Sequence, residues 1–263
     1  MGVSRQILNG WTWFAQSLRT LRLQPLSFIA VSGIYVMTLG LLGSLPWLGI
    51  LLAGLFWPFG TLLIARGGQD ALAGRKPTLA VLIEAWQRRD ARIRLFRVGL
   101  LYSMMIVLVS LVWELLAADD IARWTLTEAG RIDWSSTAGN IPYGAAIAAF
   151  CVYAPCAMAL WFAPLLSYEK GLPLSKALFF SFFGCLSNLL SIVLALLLAF
   201  SAAGILIGCA AALIVAARLS SVAMLLVLPL SLVSSALIYG TYYPMWRTLF
   251  SEVQPEQESA PRP

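Results

Sequence analysis

Glu114 is the one acidic residue inside a long apolar run of this 263-residue chain. A carboxylate at that depth is a candidate for ion or proton handling, because its charge is costly in hydrocarbon. Asp119 lies only five residues on, so Glu114 can also reach the interface by snorkelling. Asp119-Asp120 could hold a diphosphate through magnesium only with a further carboxylate in register, and Arg123 stands there instead. Asn188, at the start of another apolar run, can hydrogen-bond across helices for well under about 2 kcal/mol. Five arginines, Arg88, Arg89, Arg92, Arg94 and Arg97, cluster around Trp86 and Phe96. Such a cluster just outside a span attracts anionic lipid at about 1 kcal/mol per charge near the surface.

Other chemistries are excluded by residue type. Histidine is absent, which removes histidine triads, imidazole metal ligands and histidine proton relays. Cys151, Cys156, Cys185 and Cys209 all lie in or beside apolar runs and do not read as a disulfide framework. No phosphate loop, serine nucleophile set or paired intramembrane aspartates is present. The sequence therefore points to a protein that is not an enzyme and needs no cofactor or metal.

The elements that must carry these residues follow from composition. Hydrophobic residues make up 60% of the chain and charged residues 11%, with a mean hydropathy of +0.83. A soluble domain is about 25% charged, so too little charge is available to cover a water-facing surface. The apolar residues run in blocks long enough to cross about 30 Å of hydrocarbon as helices. Six spans are expected, at about 26–45, 48–65, 98–116, 141–166, 186–209 and 222–243. The fold class is an all-α polytopic bundle, one membrane domain over 1–250, with a disordered cytoplasmic tail over 251–263. A small-residue ridge, Gly204, Gly208, Ala212 and Ala216, is expected to pack inside the bundle.

Three amphipathic segments precede the odd-numbered spans, at 3–22, 79–96 and 173–184. In the first, Val3, Ile7, Leu8, Trp11, Phe14, Leu18 and Leu21 share one helical face. Such a helix either lies in the headgroup plane or packs on the end of the bundle. Each even-numbered span carries an aromatic-rich proline motif: Phe56-Trp57-Pro58-Phe59, Trp161-Phe162-Ala163-Pro164 and Tyr242-Tyr243-Pro244-Met245-Trp246. The chain thus reads as three units of surface helix plus hairpin. Pro58, Pro164 and Pro244 are helix-kink candidates, since proline frees a carbonyl that neighbouring helices must satisfy. A polar cavity converging on the three prolines would favour a transporter. A close-packed bundle with a basic face would favour a scaffold.

The formal charge is +6, yet no nucleic-acid-binding motif accompanies it. Fifteen of the eighteen Lys and Arg residues fall on one side of the expected topology, and only Arg123, Arg131 and Arg218 on the other. That bias predicts both termini in the cytoplasm. The expected partners are membrane lipids with anionic headgroups, and nucleic acid is not among them.

The lead-in Trp11, Phe14, Leu18 and Pro25, the Trp57-Pro58 pair, and the stretch from Phe162-Ala163-Pro164-Leu165 through Lys176-Ala177-Leu178-Phe179-Phe180-Ser181-Phe182 to Asn188 carry a resemblance. The chain resembles a proteobacterial family of six-span inner-membrane proteins labelled simply as transmembrane proteins. More loosely, the layout is similar to the membrane domain attached to some glycerophosphodiester phosphodiesterases. The resemblance implies a bacterial inner-membrane location over roughly residues 10–250. It implies no catalytic residues, because the family has no established reaction and the phosphodiesterase catalytic domain has no counterpart in this sequence. The expected role is a non-enzymatic, lipid-associated or scaffolding component of the envelope. The alternative is a transporter or channel for an apolar or amphipathic substrate.

Overall fold

The structure is a computed structural model that describes residues 2–46, 48–127, 130–216 and 220–252. Trp47, Glu128, Arg218 and the tail from residue 253 lie outside them. Twelve helices follow in order: α1 (Val3–Leu23), α2 (Pro25–Gly43), α3 (Gly49–Leu72), α4 (Ala80–Gln87), α5 (Arg89–Ile121), α6 (Trp134–Thr137), α7 (Tyr143–Trp161), α8 (Ala163–Glu169), α9 (Leu174–Ser187), α10 (Leu189–Ala216), α11 (Ser220–Tyr239) and α12 (Tyr242–Phe250). Among the described residues, six helical segments are long and apolar enough to cross a membrane: Pro25–Gly43, Gly49–Leu72, Arg89–Ile121, Tyr143–Glu169, Leu189–Ala216 and Leu225–Phe250. Among the described residues the single β-bridge joins Leu126 to Ile132 in the loop after α5.

The spans pack in a curved row, α7–α5–α3–α2–α11–α10. In lipid, apolar burial gives helices little reason to associate, so close backbone approach and hydrogen bonds must do it. The α3/α5 crossing shows both. A Cβ on Gly99 would lie 2.8 Å from the Gly54 carbonyl oxygen and 2.9 Å from the Leu55 Cα. The Gly54 carbonyl is the one that Pro58, four residues on, cannot use as a donor's partner. Ser103 adds a hydrogen bond across the contact, its Oγ lying 3.4 Å from the Leu51 carbonyl of α3 as well as 3.1 Å from the Gly99 carbonyl of its own helix. Pro58 therefore sits within a helix that runs unbroken from Gly49 to Leu72.

Pro164 and Pro244 stand differently. Each lies in the first turn of a short new helix, α8 or α12, after the span has stopped at Phe162 or at Gly240-Thr241. Proline is well tolerated in a first turn, where the missing N–H would have no intrahelical partner. The break at Phe162 is satisfied from neighbouring elements. The Phe162 N–H donates to Ser181 Oγ on α9 at 3.0 Å, and that hydroxyl donates to the Met158 carbonyl at 2.8 Å. Tyr242 Oη donates to the Trp161 carbonyl at 2.6 Å.

The core sits toward one end of the spans, where α1, α8 and α12 gather against α3, with α9 against α8. Leu62, Leu63, Phe162, Leu165, Leu166 and Met245 are all essentially fully buried there. Phe162 stacks on Tyr242 at 5.4 Å and meets Phe250 edge-on at 5.3 Å. Helix α1 belongs to this packing: Trp13 is 1% exposed, and its indole N–H donates to Thr248 Oγ1 at 3.0 Å. Its Ser17 hydroxyl donates to the Leu237 carbonyl. Val3, Ile7, Leu8, Trp11 and Leu18 stay exposed, so the helix presents one face to the bundle and another outward.

Two sequence expectations are corrected. The amphipathic segment 79–96 is not one surface helix. It breaks at Arg88, whose backbone is extended (φ −80°, ψ 97°), and the remainder forms the first turns of α5. At 33 residues α5 is about 50 Å long, well over the hydrocarbon thickness. No Gly or Pro marks the break, and Asp90 in the first turn of α5 complements the new helix dipole. The ridge Gly204, Gly208, Ala212 and Ala216 faces outward. The stripe that does pack is Ser191, Ala195, Ala199 and Ala203, all buried. A Cβ on Gly10 of α1 would lie 2.9 Å from the Ser191 carbonyl oxygen. The i, i+4 spacing of small residues is shared by both sets, and only the position of α1 selects between them.

Candidate functional site

The basic end gathers the ends of α3, α5 and α8 with α4 and α12. Gly74 and Gly171, with φ of 74° and 67°, take the left-handed conformation just past α3 and α8 and turn the chain there. Arg66 of α3 and Glu169 of α8 form an ion pair across this end, with Nε 2.8 Å from Oε1 and Nη2 3.0 Å from Oε2. Arg66 and Glu169 each end an even-numbered span with opposite charge. That was the available signal for the pair, and charge counting alone passed over it.

The arginine cluster around Trp86 does not act as one block. Arg92 lies over the Trp86 ring at 5.2 Å and donates from Nη1 to the Trp86 carbonyl at 3.0 Å. Arg88 lies over the Tyr168 ring at 5.4 Å and pairs with Glu84 at 3.5 Å. Arg94 turns the other way and donates from Nε to the Ser167 carbonyl at 3.0 Å. Arg97 and Arg94 line a recess of about 570 Å³ with Asp90, Gly171 and Pro173. Arg89 is exposed at the start of α5.

Trp86, over whose ring Arg92 lies, lines an apolar groove of about 620 Å³ between α3, α4 and α5. Leu55, Phe56, Phe59, Leu82, Ile83 and Phe96 form its walls. The aromatic walls are fixed by edge contacts: Phe59 meets Phe96 at 5.4 Å and Trp86 meets Phe96 at 6.1 Å. Trp86 and Ile83 remain 56% and 61% exposed, so the groove is open along its length. Its lining is an apolar trough with Gln87 as the polar member, and Arg92 lies against it through the Trp86 ring.

The other singled-out residues lie apart from this groove. Glu114 is exposed two turns before the end of α5, at the opposite end of the molecule. Asp120 lies 3.9 Å from Arg123 in an exposed ion pair. Asn188 does not bond across helices. It ends α9, and its Nδ2 donates back to the Gly184 carbonyl at 3.1 Å, one turn earlier. The last carbonyls of a helix lack intrahelical donors, and a buried Asn beside them satisfies the nearest one. Its Oδ1 is buried without a protein partner.

Among the described residues, six apolar helical segments long enough to cross a membrane define a polytopic helical membrane protein. The chain is 30% identical to a probable inner membrane protein of Burkholderia thailandensis, over 96% of its own length and 95% of that relative's. It belongs to the same family. No family model and no solved structure matches the chain, so the likeness to the phosphodiesterase membrane domain gains no support.

Proposed function

We propose that the protein is a non-enzymatic component of the bacterial inner membrane that holds an anionic phospholipid at its basic end, with both termini in the cytoplasm. The observation that carries this reading is the groove walled by Trp86, with Arg92 lying over the Trp86 ring. An acyl chain fits the trough of Phe56, Phe59 and Phe96, and the headgroup then meets Arg92 and Arg89. The inner-membrane location rests on the Burkholderia relative, and the orientation on the Lys and Arg bias. Pro58, Pro164 and Pro244 are all buried, and this packing supports a scaffold over a transporter. The three surface-helix-plus-hairpin units are part of the same proposal. The break followed by proline is common to the second and third, while Pro58 keeps its helix whole.

The test is lipid retention by the full-length protein in detergent micelles doped with phosphatidylglycerol and phosphatidylcholine, read by native mass spectrometry. R89Q/R92Q should weaken phosphatidylglycerol retention by about tenfold or more, since each charge is worth about 1 kcal/mol. Equal retention by wild type and variant would refute the groove. A reporter fused after Ser259 should be active only in the cytoplasm, and activity confined to the outside would refute the orientation.

A further inference from the structure

A second, smaller recess lies at the same end, on the other side of α3. It encloses about 210 Å³ between Ala65, Arg66 and Gln69 of α3, Leu165 and Glu169 at the end of α8, and Tyr243, Trp246, Arg247 and Phe250 of α12. Lys170 and Ser251 complete its rim. Its charge is unbalanced. The Glu169 carboxylate is taken up by Arg66, whose remaining Nη1 donates to Gln69 Oε1 at 3.3 Å. Lys170 and Arg247 have no carboxylate within ion-pair distance among the described residues. The lining therefore carries two uncompensated positive charges on two different elements, beside the Arg66–Glu169 ion pair.

We propose that this recess binds a phosphate-bearing anion between Lys170 and Arg247. Size and depth set the class of ligand. The space is about a third of the apolar groove's, enough for a phosphate ester but too small for an acyl chain. Tyr243 and Trp246 line it, and such aromatics sit at headgroup level in membrane proteins. Phosphate is the common anion at that depth, and basic pockets between spans on the cytoplasmic side take lipid headgroups. Arg247 supplies a planar fork suited to two phosphate oxygens, and Lys170 a mobile point charge. The ligand is a phospholipid headgroup or free phosphate. None of the recess's cations belongs to the groove, so this site stands or falls independently of it.

The experiment uses the full-length protein in the same doped micelles and compares wild type, K170Q/R247Q and R89Q/R92Q. K170Q/R247Q should lose one phosphatidylglycerol per chain, with at least tenfold lower occupancy, while R89Q/R92Q keeps that lipid. In a second arm, inorganic phosphate is titrated into lipid-free micelles and followed by calorimetry. Saturable binding lost in K170Q/R247Q, without the lipid effect, assigns the recess to free phosphate. The single variants K170R and R247K keep the charge and should retain binding, which separates charge loss from misfolding. If K170Q/R247Q melts like wild type and matches it in both arms, the proposal is overturned. If K170Q/R247Q does not fold, loss of binding in folded K170Q or R247Q supports the site, and wild-type binding in both overturns it.

Discussion

Tyr242 Oη donates to the Trp161 carbonyl at 2.6 Å, joining two chain breaks that lie 81 residues apart. The span formed by α7 and α8 is interrupted at Phe162, and the span formed by α11 and α12 just before Tyr242. Each break needs partners for backbone groups that helix geometry no longer satisfies. Tyr242 serves the first break from the start of the helix that follows the second. Its ring also stacks on Phe162, so the hydrogen bond is held by packing on both sides.

Removing that hydroxyl should be felt. Y242F keeps the ring and leaves the Trp161 carbonyl without this donor, which costs about 1–3 kcal/mol when the group is buried. S181A removes the donor to Met158 and the acceptor for the Phe162 N–H together. The two changes act on one break, so the double variant should be non-additive by at least about 0.5 kcal/mol. Thermal unfolding in detergent, followed by tryptophan fluorescence, measures both quantities.

Glycine substitutions should separate packed from unpacked small residues. G99A drives a methyl into the backbone of Gly54 and Leu55, which cannot swing aside as a side chain can. A loss of about 1–3 kcal/mol is expected. G208A, in the ridge that faces outward, meets nothing within 4 Å and should change stability by less than about 0.5 kcal/mol. Equal effects in chemical unfolding would contradict the placement of the two stripes.

Trp86 is the groove's aromatic wall and the seat of Arg92. W86A should reduce quenching of the remaining tryptophans by phosphatidylglycerol brominated along its acyl chains. W86F should keep most of the apolar wall and the cation–π contact, worth about 0.5–1 kcal/mol at an exposed site. A W86A protein quenched to the same extent as W86F would argue against an acyl chain in the groove.

Asp133 provides a local pH response. Its carboxyl accepts from the Ser135 hydroxyl at 2.7 Å and the Ser135 N–H at 3.0 Å, capping α6. The Ser135 hydroxyl first, and its N–H second, hold the acid below the ordinary aspartate range. A depressed folded pKa means that this contribution is complete above the ordinary value near 4 and is lost as pH falls through the folded one. Amide exchange at Ser135 should accelerate below about pH 4 beyond the intrinsic trend. In D133N that extra acceleration should disappear while the cap remains.

Much of the architecture was legible in the sequence because a span must satisfy its own backbone and present apolar side chains outward. That requirement writes itself into uninterrupted apolar runs, and the six that were read correspond to six apolar helical segments among the described residues. The segment at 173–184 likewise became α9, and 3–22 became α1. The break at Arg88 was not legible, since no helix-stopping residue marks it. The roles of Pro164 and Pro244 were legible only as disturbances. Whether a proline bends a helix, as an interior residue, or starts a new one depends on which neighbours receive the freed backbone groups.

The candidate site divides along the same line. Residue counts along the chain located the basic end and named Trp86 and its arginines. They could not show that Arg94 turns to Ser167 while Arg92 turns to Trp86, because that choice is made by the rotation of α5 against α8 and α4. Nor could they find the recess of Lys170 and Arg247, whose two cations lie 77 positions apart. The sequence by itself determined a six-span helical membrane protein with its charge at one end. The tertiary structure alone decided which small residues pack, which breaks are bridged and which cations remain unpaired. The physical reason is that hydropathy is a property of single residues and short windows, whereas close approach and ion pairing depend on the relative placement of helices that no window contains.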